Sequence, residues 1–418
     1  MLGLDDFNLK ELQLVSGATR YNYETLMTFD DIFGPDAPGI QELLRKAEEI
    51  LHQYEGSVDG IIGYWDFPVT SMVPYLCEVF DLPGPNLEGV IKCEHKYWSR
   101  LEQSRAIDEY PVFEAVNPFD DDAVDKLSIK YPFWLKPVKA TASQLGFKIK
   151  SREEFLEAQE EIRNKITTFS GPFNFLLSKT TLPDEMKDID GGYCIAEEII
   201  KGSQCTVSGF VNNKKVTVYG IVDSINYPDS SSFFRYEYPS TLPMKVQRRI
   251  ADNSIKIIEQ IGLDNSTFNI EYFYDEAFDR IWTLEVNPRL SQSHSYLYRV
   301  VDGEPNLKIM IDLALGKNTE FPYRKGQFNC AAKFFLRRFD DAKVTRVPTA
   351  TEIQQVKQLI PGTRIDLNAR EGIHLSELPR QDSYSFDLVH IFIGASDHYE
   401  LMDKYHRCVE MLNFCFDE

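Results

Sequence analysis

A chain of 418 residues, 43% hydrophobic and 26% charged, carries enough apolar side chain for two or three domains with sizeable cores. Its formal net charge of −20 excludes nucleic acid and anionic membrane as main partners, because both are met by basic stripes that this sequence lacks. Any anionic small molecule must be met by cations gathered locally against that overall charge.

In chain order, GIQELLRKAEEILHQY places Ile40, Leu43, Leu44, Ala47, Ile50 and Leu51 at helical spacing. VDGIIGYWDF then reads as a buried strand ending at Asp66-Phe67-Pro68, and SMVPYLCEVFDLPG as a helix stopped by Pro83-Gly84. These elements predict a small α/β layer with a parallel sheet. From Pro111 the pattern changes to α+β. YPFWLKPVKATASQLGFKIKS reads as strand, loop, strand, and SREEFLEAQEEIRNKI as an amphipathic helix with Ser151 at its N-cap. YCIAEEII predicts a strand ending at Lys201-Gly202, and QCTVSGFVNNKKVTVYGIVDSINY a hairpin turning at Asn212-Asn213. The helix MKVQRRIADNSIKIIEQIGL, a second hairpin over residues 269–289, and the helix IMIDLALGK follow. After Gly316, NCAAKFFLRRF and FDLVHIFIGA predict strands and DHYELMDKYHRCVEMLNF a last helix, read as a third subdomain.

Seven cysteines, Cys77, Cys93, Cys194, Cys205, Cys330, Cys408 and Cys415, form no CxxC pair and no zinc-like spacing, which predicts reduced thiols. The opening MLGLDDFNLKELQL has no basic region followed by an apolar one, and no run reaches the ~18 apolar residues of a membrane span. The expected compartment is the cytoplasm, with no membrane partner.

The hairpin NIEYFYDEAFDRIWTLEVNPR, residues 269–289, carries the most chemistry. Alternation puts Asn269 and Glu271 on one face of its first strand and Glu285, Asn287 and Arg289 on one face of its second. A turn near Phe278 sets Glu271 opposite Glu285 and Asn269 opposite Asn287. Two facing carboxylates repel unless a cation sits between them, and an oxygen-only set suits a hard ion such as magnesium held with phosphates. Arg289, a planar donor, suits a phosphate or carboxylate. The plain alternative is a solvated hairpin face.

Other residues fit the same chemistry. Lys136 ends an apolar strand before a small-residue loop whose backbone N–H groups can fold over phosphates, although the loop lacks P-loop spacing. Lys96 opens a helix-like segment. The run AEEII, residues 196–200, ends a strand with backbone groups suited to an adenine edge. His294 is a candidate base for an incoming amine, or a structural histidine; Arg235, Ser291 and Ser293 are candidate contacts for substrate.

Taken together these residues resemble the ATP-grasp superfamily, in its carboxylate-amine ligase and biotin-carboxylase-like branch. WLKPVKATASQLGFKI looks like the family's lysine and lid, AEEIIKGSQCTV like its adenine hinge, and LEVNPR like its metal hairpin. The resemblance implies a pre-ATP-grasp α/β domain over residues 1–93, an ATP-grasp domain of two α+β subdomains over 94–317 with a hinge near 196–201, and a C-terminal α+β subdomain over 318–418. It implies Lys96, Lys136, Ser143 and Gly146 at the ATP phosphates, Glu197, Glu198, Ile199 and Ile200 at adenine, and Glu271, Glu285 and Asn287 at magnesium, for which manganese can substitute. Arg289 would stabilise an anionic intermediate, and closure of residues 140–146 would exclude water from it. The hinge departs from the family's Gly-x-Glu, so Gln204 takes the place of the ribose-binding acid. Past the arginine, Ser293 stands where biotin carboxylase has an acid, which argues against biotin carboxylation. The implied function is an ATP-dependent ligase that activates a small-molecule carboxylate as an acyl phosphate for attack by an amine. A bicarbonate-activating enzyme and a silent nucleotide-binding protein are the alternatives, and the family admits a homodimer.

Overall fold

The computed structural model of this protein describes residues 1–140, 144–379, 381 and 384–417. At the N-terminus β1 (Leu2–Leu4) pairs in parallel with β2 (Met27–Thr28), so the expected parallel layer exists but is small. The apolar run at 58–67 lies beside β1 with Ile61, Ile62 and Tyr64 buried, yet it is not a strand. Leu2 N donates to Ile62 O at 3.0 Å, but the Trp65 indole donates to Gly3 O at 2.7 Å and so takes the carbonyl that a ladder would use. Helices Ile40–Gln53 and Val69–Val79 cover this layer. Their core of Leu43, Leu44, Met72 and Leu76 is completed by Phe173 and Leu176 from the much later helix Thr167–Leu177.

The next unit is an antiparallel sheet of β3 (Phe113–Val116), β4 (Phe133–Pro137), β5 (Phe147–Ile149) and β6 (Cys194–Glu198), in the order β3-β6-β4-β5. Helix Arg152–Lys165 packs on it through Phe155 and Ile162, and Ser151 caps that helix by accepting from Glu154 N. Gly202 then turns the chain into the central sheet.

That sheet is built from β7 (Ser203–Asn212), β8 (Lys215–Asn226), β9 (Phe233–Tyr238), β10 (Ser266–Asp275), β11 (Arg280–Asn287), β12 (Cys330–Arg338), β14 (Thr363–Leu367) and β15 (Phe386–Ala395), while β13 (Lys343–Arg346) pairs separately with β16 (Cys415–Asp417). Its order is β11-β10-β7-β8-β9-β12-β15-β14, antiparallel throughout. The β7–β8 turn sits on Asn213 and Lys214, both at positive φ, one residue later than the sequence suggested. Asn212 pairs with Lys215, and two central residues at positive φ match the sheet's twist. Helix Met244–Ile261 covers the β7–β10 part through Ile250, Ile257 and Ile258 and ends on a left-handed Gly262. β12 pairs with β9, so the strands after Gly316 extend this same sheet. Among the described residues no helix is long and apolar enough to cross a membrane.

Candidate functional site

The acidic hairpin folds in the expected register: Asn269 pairs with Asn287, and Glu271 with Glu285. One step further the register slips, so that Tyr272 faces Thr283 and Leu284 is an extra residue. Without this bulge Glu271 would face Leu284, and the two acids would not meet. Arg100 Nη2 donates to Leu284 O at 2.6 Å and so captures the carbonyl of the bulged residue.

Two amides hold Glu271. Gln204 Nε2 donates to one oxygen at 3.0 Å and Asn287 Nδ2 to the other at 3.4 Å; Asn287 also donates to Asn269 Oδ1 at 3.1 Å. Gln204 therefore sits on the acid pair. Burial, with the facing Glu285 adding to it, pushes the Glu271 carboxyl up to about 7. Burial pushes Glu285 the same way, but Lys96, Lys136 and Lys139 outweigh it and hold that carboxyl down to about 2. Lys96 Nζ lies 3.0 Å from Glu285 Oε1. The pair thus has the property expected of a cation site, since one acid already faces a lysine and a further cation would favour the ionised form of the other. Among the described residues no third His, Cys or acid joins them, so Asn287 and ligand oxygens would complete a magnesium shell.

The cations come from two other elements. Lys96 opens helix Lys96–Ala106, whose N-cap His95 accepts from Trp98 N at 3.2 Å, and the Lys96 backbone N–H donates to Val138 O at 2.9 Å. That contact holds the helix start against the end of β4. Lys136 on β4 reaches Glu197 at 2.5 Å, and Arg100 Nε reaches the other oxygen of Glu197 at 2.5 Å. The Glu197 side chain is thereby buried between these two cations. Glu198 pairs its N–H with Val112 O at 2.9 Å, and Ile199 and Ile200 leave the strand half-buried. Gly146 is exposed, and Ser143 lies outside the described residues.

On the far side of the acids is a cleft of about 270 Å³, lined by Glu271, Arg289, Ser291, Ser293 and His294 and by residues of the central sheet. Arg289 Nε is 2.6 Å from Asp66 Oδ1, so the N-terminal region reaches directly into it. His294 is buried, stands edge-on to Tyr236 with ring centroids 5.1 Å apart, and its Nδ1 has no partner among the described residues. Burial, reinforced by Lys333 and Arg289, lowers its pKa to about 3, so the imidazole is neutral at pH 7. Arg235 is not brought to the cleft. It pairs at 2.7 Å with Glu237, whose other oxygen contacts His398 at 2.8 Å.

Sequence reasoning missed Arg100, Lys139, Asp66 and Lys333. Arg100 stands one helical turn after Lys96, a spacing that places both on one face. Lys139 is buried, paired with Glu94, and lies 4.7 Å from the ring centroid of Phe67; Thr70 Oγ1 donates to Glu94 at 2.7 Å. Lys333 is a lone lysine inside the apolar strand CAAKFFL, and that was its available signal. Asp66 had none beyond ending an apolar run.

Residues 129–295 match the family model described as an ATP-grasp domain. Similar solved structures include an L-amino acid ligase from Bacillus licheniformis, 16% identical over 90% of this chain and 85% of that one, TM-score 0.67. A biotin carboxylase from Campylobacter jejuni, solved as a β-γ-ATP complex, is 16% identical over 99% of this chain and 86% of that one, TM-score 0.65. A phosphoribosylglycinamide synthetase from Anaerococcus prevotii is 15% identical over 88% and 85%, TM-score 0.60. At these identities the likeness is one of fold, and it extends well beyond the matched segment. The matched segment and these structures show that residues 129–295 form an ATP-grasp domain and that the chain as a whole has the ATP-grasp fold.

Proposed function

We propose that this protein is an ATP-dependent ligase that activates a small-molecule carboxylate as its acyl phosphate and joins it to an amine. The observation that carries the reading is the facing pair Glu271 and Glu285, ringed by Lys96, Lys136 and Lys139, with Arg289 opening onto the adjoining cleft. Magnesium, when bound, would supply charge neutralisation between the carboxylate and the phosphates; Glu271, Glu285 and Asn287 are the residues to hold it. Lys96 and Lys136 meet the phosphate oxygens, exchanging their carboxylate partners for those of the nucleotide. In the reaction the substrate carboxylate oxygen attacks the γ-phosphorus and ADP leaves; the amine then attacks the acyl carbon, losing a proton as phosphate departs. Arg289 is placed to hold the negative charge that develops on the acyl oxygen. His294 is neutral and suits the role of hydrogen-bond acceptor for the amine better than that of a charged group.

ADP release measured against a panel of carboxylates and amines tests the reading. At least one pair should raise the rate above background, and Glu285→Ala should lower that rate by about 100-fold or more. A wild-type rate that never leaves background, or an unaltered rate in the variant, overturns it.

A further inference from the structure

The acids belong to a longer row. Residues directly opposite in neighbouring strands share a face, and the pairs Glu271–Thr206, Gln204–Ser224, Ser224–Tyr236 and Tyr236–Lys333 carry one face across β10, β7, β8, β9 and β12. The row forms the floor of the cleft as far as Tyr236 and continues to Lys333 just beyond it, four strand spacings or about 19 Å along the sheet from the acids.

Lys333 is 7% exposed, and its Nζ lies 3.4 Å from Ser293 Oγ on the cleft wall. Phe335 and Phe392 flank the ammonium, with ring centroids at 4.7 and 5.5 Å. The acids nearest to it face arginines instead: Arg337 is 3.1 Å from Asp387, and Arg364 is 3.0 Å from Asp366. Among the described residues, then, Lys333 has no carboxylate in ion-pair contact. A buried ammonium of this kind is costly unless an anion meets it. Burial lowers Lys333 to about 8, against the pull of Asp387 and Asp366, so it remains largely charged at neutral pH. One ammonium and one hydroxyl suit a singly charged carboxylate, whereas a phosphate would call for more donors.

We infer that Lys333 and Ser293 anchor the carboxylate of the second substrate, which is therefore an amino acid whose amine points back along the row toward Arg289. The assignment of that amino acid as acceptor rests on the ligase reading; the anion site does not. Thermal shift and equilibrium binding, in the presence of MgADP, can compare L-amino acids with their carboxamides. At least one amino acid should bind the wild type while its carboxamide does not. Lys333→Met should weaken that binding by about tenfold or more, Lys333→Arg should retain it, and MgADP affinity should be the same in all three. If Lys333→Met does not fold, the acid-against-amide comparison in wild type and Lys333→Arg decides. Equal binding of acids and amides, no bound amino acid, or unaltered binding in Lys333→Met overturns the anchor. Carboxylate-dependent binding without any ADP formation overturns only the ligase reading. ADP formation with carboxylate-free amines, equal in wild type and Lys333→Met, overturns only the anchor.

Discussion

Glu197 shows how a buried carboxylate can stay ionised in a chain with an excess of acids. Burial pushes its carboxyl up, but Arg100 and Lys136 outweigh it and bring it down to about 2. Because the folded value lies below the unfolded one, near 4.3, the stability it contributes is complete above that value and is lost as pH falls toward 2. Glu197→Gln should cost about 3 kcal/mol at pH 7, leaving two buried cations facing an amide. In urea unfolding at a series of pH values the gap from wild type should narrow between about pH 4.5 and 2; a gap of constant size would refute this account. Glu271 and Glu285 were legible as a pair in the sequence, since alternation and hairpin register are local. The partner of Glu197 was not, because Arg100 stands 97 positions away and only the packing of helix Lys96–Ala106 against β6 brings it there.

Among the elements, the hinge and the hairpin each depend on a backbone irregularity. The bulge at Leu284 rotates one strand so that Glu285 meets Glu271, and the Arg100 contact to Leu284 O ties that rotation to the helix bearing Lys96. At the hinge, Gly202 has φ 138°, and a Cβ there would stand 2.3 Å from Tyr274 O. Gly202→Ala must therefore push the start of β7 away from β10, at a cost of about 1–3 kcal/mol. Its melting temperature and its ADP affinity should both fall; a variant equal to wild type in both would show that the close approach has no bearing on the site. The glycine itself marked a strand end in the sequence. That its hydrogen faces a neighbouring strand could only be seen once β7 and β10 were paired.

Across the whole molecule, the N-terminal helix Asp6–Leu12 is wedged between the central sheet and the cleft. Glu11 is 2% exposed and pairs with Arg364 on the edge strand β14, with Arg299 at 3.9 Å, while Asn8 Nδ2 donates to Gln292 Oε1 at 2.9 Å on the cleft wall. Glu11→Ala leaves Arg299 without its carboxylate and Arg364 with Asp366 alone, and should lower stability by about 1.5–3 kcal/mol, read as a lower urea midpoint; a midpoint equal to wild type would show the tie to be idle. Such long ties mark the boundary between what the sequence could and could not disclose. By itself it determined most helices, the main strands and the facing acids, because hydrophobic period, capping and turn chemistry act over a few residues. Only the tertiary structure decided that Arg289 meets Asp66, that Phe173 completes the N-terminal core, and that Lys333 lies at the end of the row begun by Glu271. Those contacts join segments far apart in the chain, and strand order and packing, which set them, leave no local period to read.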